Sequence, residues 1–203
     1  MRRGICYVVG AGECGELTLN PEREDFVIAV DGGYENLKGQ RIDLVVGDFD
    51  SLPYVPDHPR VIRLKPEKDD TDMMIALREG LAAGYDAFHI YGGEGGRFDH
   101  TLANIQCLAY LADQGARGYL IGARQTATLI QNDSISFSGK REGYISVFSY
   151  GERALGVTLR GLKYPLTDAE LSDRIPLGVS NEFTGRDACI SVENGRLVIV
   201  YDN

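Results

Sequence analysis

Asp48 and Asp50 stand two apart in Leu44-Val45-Val46-Gly47-Asp48-Phe49-Asp50-Ser51, directly after an apolar run that reads as a buried strand. If the chain stays extended, side chains two apart point the same way. Two carboxylates on one side of a strand end repel each other unless a cation lies between them. Magnesium suits the role, because it takes carboxylate and phosphate oxygens together. A second acidic group, Lys68-Asp69-Asp70-Thr71-Asp72, opens an amphipathic pattern some twenty residues on. A side-chain oxygen there can cap a helix, and acids at a helix start are favoured by its dipole. Capping accounts for one residue, not for three acids and a lysine together. The third cluster is Gly92-Gly93-Glu94-Gly95-Gly96-Arg97-Phe98-Asp99-His100. Its glycines let backbone amides approach a phosphate, and a helix N-terminus adds partial positive charge. Arg97 is placed to pair with phosphate oxygens, and Asp99 to hold metal, ribose or His100. Together these groups point to metal-assisted transfer from a polyphosphate, done by positioning and charge neutralisation.

The elements that would position them follow from the apolar spacing. Ile5–Val9, Phe26–Val30, Leu44–Val46, Val61–Leu64, Ala87–Tyr91 and Tyr119–Ile121 read as buried strands. Helical spacing covers Thr71–Ala83 and a stretch from about Thr101 to Gln114. Continuous apolar strands interleaved with helices predict a parallel α/β sheet covered on both faces. Every acidic or glycine-rich cluster then lies after a strand, at the edge where such sheets bind ligands. Gly10-Ala11-Gly12-Glu13-Cys14-Gly15 matches a dinucleotide fingerprint, with Asp31 closing the second strand. Only about ten residues, interrupted by Pro21, separate Gly15 from that strand, too few for the crossover helix a dinucleotide site needs. A glycine turn near a phosphate is the better reading. No Walker or protein-kinase signature is present.

Past Ala123 the pattern changes to short strands split by turns: Thr126–Gln131, Ile135–Ser138, Tyr144–Ser149, Gly156–Arg160, Ala188–Glu193 and Arg196–Tyr201. Asn132-Asp133 and Asn194-Gly195 are two-residue turn signals, the second a strong hairpin signal. The expectation is an α/β domain over 1–123 and a smaller all-β sandwich or barrel over 124–203.

The chain has 203 residues, 43% hydrophobic and 25% charged, which excludes intrinsic disorder. Its net charge of −9 gives it no general attraction for nucleic acid or an anionic membrane. Four scattered cysteines without a close pair argue against structural zinc or a redox motif. No run approaches the ~20 apolar residues of a membrane span, and the N-terminus lacks a signal-peptide pattern. A cytoplasmic protein is expected.

The ordered set Asp31-Gly32-Gly33, Gly47-Asp48-Phe49-Asp50-Ser51, Lys68-Asp69-x-Thr71-Asp72, Gly95-Gly96-Arg97-x-Asp99-His100 and Gly178-Val179-Ser180-Asn181-Glu182-Phe183 resembles the motifs of the thiamine pyrophosphokinase family. The resemblance spans nearly the whole chain. It implies transfer of the diphosphate of ATP to the hydroxyethyl group of thiamine, with release of AMP, in a homodimer that holds thiamine between subunits. It implies magnesium on Asp48, Asp50 and Asp72, and ATP on Asp31, Gly32, Gly33, Lys68, Gly95, Gly96, Arg97, Asp99 and His100. Thiamine would face Thr71, Asp72, Ser180 and Asn181, with Asp72 or Asp69 as the acid that orients the hydroxyl or takes its proton. Many members stack the vitamin on a tryptophan; this chain has none, and Phe183 is the expected substitute. The Asp48 run also resembles the opening motif of haloacid-dehalogenase-like phosphatases, although it sits on the third strand rather than near the start. A phosphohydrolase with Asp48 as nucleophile, and a non-catalytic nucleotide or thiamine sensor, are the alternative readings.

Overall fold

The computed structural model describes residues 4–65, 67 and 69–203. After Ala123 the chain divides into two compact units.

The first unit is built on β1 (Cys6–Val9), β2 (Phe26–Val30), β3 (Leu44–Gly47), β4 (Val61–Arg63), β5 (Ala87–Tyr91) and β6 (Arg117–Ile121). All pair in parallel, in the order β6-β5-β1-β2-β3-β4. The run β1 to β4 grows in one direction, and β5 then pairs on the other side of β1. The topological switch therefore lies between β1 and β5, which opens a crevice beyond their carboxyl ends. All five residues of β2 are buried, as expected for a strand covered on both faces. One face packs Val9, Val27, Ala29 and Val45 against Leu19, Leu37 and Phe49. α2 (Asp72–Ala82) packs on β1, β2 and β3, and α3 (Phe98–Asp113) on β6. α3 begins three residues earlier than its apolar spacing suggests, since its first turn carries polar residues and an exposed Phe98. The four-residue helix α1 (Gly33–Asn36) is too short to leave a periodic signal.

The second unit is a β-sandwich. One sheet runs β12 (Gly178–Glu182), β9 (Tyr144–Ser149), β14 (Arg196–Asp202), β7 (Gln125–Gln131). The other runs β11 (Leu166–Ser172), β10 (Arg153–Arg160), β13 (Ala188–Ser191), β8 (Ser134–Phe137). Both are antiparallel, and Ile145, Val147, Leu197 and Ile199 of one face Val157, Leu159 and Ile190 of the other within a single core. The two turn signals do not close hairpins. β7 and β8 lie in different sheets, as do β13 and β14, so each turn carries the chain across the sandwich. The turns instead hold each other: Asn132, at φ +48°, donates its N–H to Gly195 O at 3.1 Å, and Gly195 N–H returns to Asn132 Oδ1 at 2.8 Å. β11 and β12 carry no apolar run: Leu171 is the buried residue of β11, and the buried positions of β12 are Gly178 and Asn181.

All four cysteines are free thiols. Among the described residues, no helix is long and apolar enough to cross a membrane.

Candidate active site

The acids converge through two residues held in the left-handed region. Asp31, the residue after β2, sits at φ +48°. Its N–H donates to Val46 O at 2.9 Å, and its Oδ1 accepts from Phe49 N–H at 3.2 Å. The carboxylate occupies the space a side chain on residue 47 would need, since a Cβ there would lie 2.0 Å from Asp31 Oδ1. Gly47 is thus required by close approach. Phe49 sits at φ +62° and is 4% exposed, its ring driven into the core beside Leu37 and Val9. Such a φ is costly for a bulky residue, and burial of the ring holds it there.

The extended geometry expected of the Asp48–Asp50 pair ends at that kink. Asp50 turns back, its N–H donating to Asp48 Oδ1 at 3.2 Å, and remains exposed at the rim. The carboxylates that share a centre are Asp31, Asp48 and Asp72, each with an oxygen within 4.8 Å of the others'. Asp72 arrives as the first residue of α2, where the helix dipole favours an anion. Thr71 is the N-cap, its Oγ1 accepting from Met74 N–H at 3.2 Å. Burial, and next the nearby Asp72 charge, push the Asp31 carboxyl up to about 7, against a smaller lowering by the Phe49 N–H. Three half-buried acids in mutual reach form a hard, all-oxygen donor set that fits a small divalent cation.

These acids form one wall of a cavity of about 510 Å³ that Thr71, Ser51 and Asp50 also line. Most of the rest of the lining comes from Gly10–Gly12 after β1 and Gly92–Gly96 after β5, with Arg97, His100 and Asn104 from the start of α3. The first glycine turn does not present its Gly10 and Gly12 amides to a ligand. Gly10 N–H donates to Tyr91 O at 2.8 Å and Gly12 N–H to Gly92 O at 2.9 Å. Those glycines allow two turns to touch. A Cβ on Gly12 would meet Gly92 O at 2.6 Å. Gly32 and Gly33 are also packing glycines, against Ala11 and the Val9 carbonyl. Gly95 and Gly96 differ, with positive φ and open space around them.

Arg97 reaches Asp99 at 2.7 Å, and both side chains are exposed. That guanidinium holds the Asp99 carboxyl below its ordinary range. Asp99 is therefore placed to orient Arg97 rather than to line the cavity. Asp69 is exposed and outside the lining, Asp70 pairs with Arg78 on the helix surface, and Lys68 lies outside the described residues. Two lining residues, and one behind the lining, carry no readable signal in the sequence. Asn104 is buried and donates to Gly93 O at 2.6 Å. Glu94 folds over Gly122, where a Cβ would lie 1.6 Å from its Oε1. Asn36 lies behind the first glycine turn and bonds two of its carbonyls.

In the sandwich, Ser180 is exposed at φ +56°, and its N–H donates to Ser146 Oγ at 3.0 Å. Asn181 is only 3% exposed, and its carboxamide is spent internally. Its Oδ1 accepts from Tyr164 N–H at 2.9 Å, and its Nδ2 donates to Tyr164 O at 2.7 Å. Asn181 thus fixes the backbone of Tyr164. Phe183, at 9% exposure, packs edge-on to Phe137 with centroids 5.4 Å apart, so it offers no open ring face. Tyr164 is 57% exposed, with the Lys163 ammonium 5.5 Å from its ring centroid.

Two family models match the chain, one for each unit: "Thiamin pyrophosphokinase, catalytic domain" over residues 19–120 and "Thiamin pyrophosphokinase, vitamin B1 binding domain" over 133–197. A thiamine pyrophosphokinase of Bacillus subtilis (strain 168) is 29% identical over 195 residues, 91% of each chain. The crystal structure of thiamine pyrophosphokinase from Bacillus subtilis superposes with a TM-score of 0.89 at 27% identity, covering 98% of this chain and 99% of that one. That from Geobacillus thermodenitrificans superposes at 0.83 and 27% identity, covering 98% and 97%. The thiamin pyrophosphokinase of Candida albicans, at 16% identity and a TM-score of 0.74 over 98% and 89% of the chains, shares the fold.

Proposed function

This chain belongs to the thiamin pyrophosphokinase family and makes thiamine diphosphate from thiamine and ATP, and we propose that it does so in the cavity at the β1/β5 switch, with Asp31, Asp48 and Asp72 holding Mg2+. The observation that carries this reading is the convergence of those three carboxylates, from three separate segments, on one centre. When bound, Mg2+ supplies charge neutralisation on the transferring phosphates.

The thiamine hydroxyl oxygen forms its bond to the β-phosphorus of ATP, and the bond from that phosphorus to the oxygen bridging to the α-phosphate breaks, with AMP keeping that oxygen. Asp72, at the cavity wall, orients the hydroxyl and takes its proton. Arg97 pairs with the phosphate oxygens as negative charge moves towards AMP. Gly95 and Gly96, with open space around them, line the same cavity. Asp50 remains available at the rim for a second ion. An assay with ATP, Mg2+ and thiamine tests the reading. AMP and thiamine diphosphate should appear in equal amounts and vanish with EDTA. ADP with thiamine monophosphate, or inorganic phosphate released without thiamine, overturns it; the latter is the result expected of a hydrolase with Asp48 as nucleophile.

In place of Phe183, Tyr164 is the ring that meets thiamine. A planar, cationic ligand is favoured by an exposed aromatic ring, where it takes the place of the Lys163 ammonium that stands 5.5 Å from the centroid, and the Asn181 clamp holds that residue's backbone on both sides. Tyr164→Ala is expected to raise the KM for thiamine by roughly tenfold or more while kcat changes little, with Tyr164→Phe close to the parent. Steady-state kinetics at saturating ATP provides the check. A homodimer accords with the exposed Ile175, Leu177 and Val179 beside Pro176 in the sandwich, an apolar surface suited to a second copy.

A further inference from the structure

We infer that Asn36 is a positioning residue that couples the metal-holding wall of the cavity to its phosphate-holding wall, an inference that rests on the reading of the site as one for Mg2+ and ATP. Its Nδ2 donates to Gly10 O at 2.9 Å and to Gly12 O at 3.1 Å, and lies 3.6 Å from Cys14 Sγ. Both donor hydrogens of the amide are thus used on one glycine turn. Asn36 is also the last residue of α1, the short helix that starts two residues after Asp31. At its head this segment is tied to the acidic wall, through Asp31 N–H on Val46 O and Phe49 N–H on Asp31 Oδ1. At its tail, Asn36 ties it to Gly10–Gly12, and that turn is in turn bonded to Tyr91 and Gly92 at the head of the second glycine turn. The six residues from Asp31 to Asn36 therefore form a brace with one end on each wall. A nucleotide whose phosphates touch both the cation and the glycine turns senses the spacing of the two walls, and the brace sets it. Without the amide donors, the Gly10 carbonyl loses the Asn36 bond, the Gly12 carbonyl keeps the Cys14 thiol at 3.4 Å, and that end of α1 is released.

Coupling of this kind is read as a ratio of affinities, and it is reciprocal between the two ligands. The experiment measures binding of a non-hydrolysable ATP analogue to the full chain by calorimetry, with Mg2+ and with EDTA. In the parent protein, Mg2+ tightens binding by some factor. In Asn36→Leu, of similar size but without donors, that factor is expected to fall about fivefold or more. Affinity in EDTA should stay within about twofold, because the glycine turns keep their own bonds to Tyr91 and Gly92. Asn36→Gln and Asn36→Ser, with two donors and one, should restore the factor in that order, which keeps the test decisive if the leucine variant fails to fold. Equal weakening with and without Mg2+ would identify a merely structural residue and overturn the inference, as would an unchanged factor. A parent protein whose analogue binding ignores Mg2+ would instead overturn the metal reading itself, and the coupling with it.

Discussion

Asp72→Asn is expected to lower turnover by roughly 10³-fold while making the metal-free protein more stable. The two effects have one cause. Asp31, Asp48 and Asp72 hold carboxylate oxygens within 4.8 Å of one another, an arrangement that serves a cation and costs stability without one. The penalty is visible in Asp31, whose carboxyl is pushed up to about 7 by burial and then by the Asp72 charge. Its unfolded value lies near the ordinary 3.8, so between about 4 and 7 the folded state binds more protons than the unfolded one. Stability contributed by the protonated acid is present below that window and is lost as the pH rises through it. Melting of the EDTA-treated protein should therefore move to lower temperature from pH 4.5 towards about 7.5, and Mg2+ should oppose the fall at the upper end. In Asp72→Asn the slope should flatten, because the neighbouring charge named above is gone. A variant that keeps near-parent turnover would remove Asp72 from both metal holding and proton acceptance.

Arg97→Ala should cost roughly 10²–10³-fold in kcat, the scale seen when one donor to developing charge is removed from an active site. The loss should come without unfolding. Arg97 is well exposed, and its ion pair with Asp99 lies at the surface, where such pairs contribute little to stability. Melting temperature should stay close to the parent's. Arg97→Lys should recover only part of the loss, because an ammonium is a point charge and cannot present the two parallel N–H groups of a guanidinium. Asp99→Ala isolates orientation: the guanidinium keeps its charge but loses the carboxylate that aims it, so a smaller loss of about tenfold is expected. An alanine variant at position 97 with parent-like kcat would show that the phosphates do not pass this side chain.

Residue types and local spacing were enough to bring the acidic and glycine-rich clusters to one sheet edge. Apolar runs marked every strand of the parallel sheet. The acids and glycines that follow those strands share a cavity because parallel strands bring their carboxyl ends to the same side. Which of those residues face the cavity was decided only by the tertiary structure. A single left-handed residue, Phe49, redirects Asp50 and leaves Asp48 to join Asp31, and nothing local in the sequence marks a phenylalanine at φ +62°. It is held there by the core around its ring. The same competition for the interior buried Phe183 and the Asn181 carboxamide and left Tyr164 exposed. Asn132 and Gly195, both turn formers, joined strands of different sheets because each turn's partner was the other turn, 63 residues away in the chain. Composition and periodicity report what a segment can do by itself. Which neighbour claims a side chain depends on distant segments, and that set the contacts of Asn36, Asp50, Asn181 and Phe183.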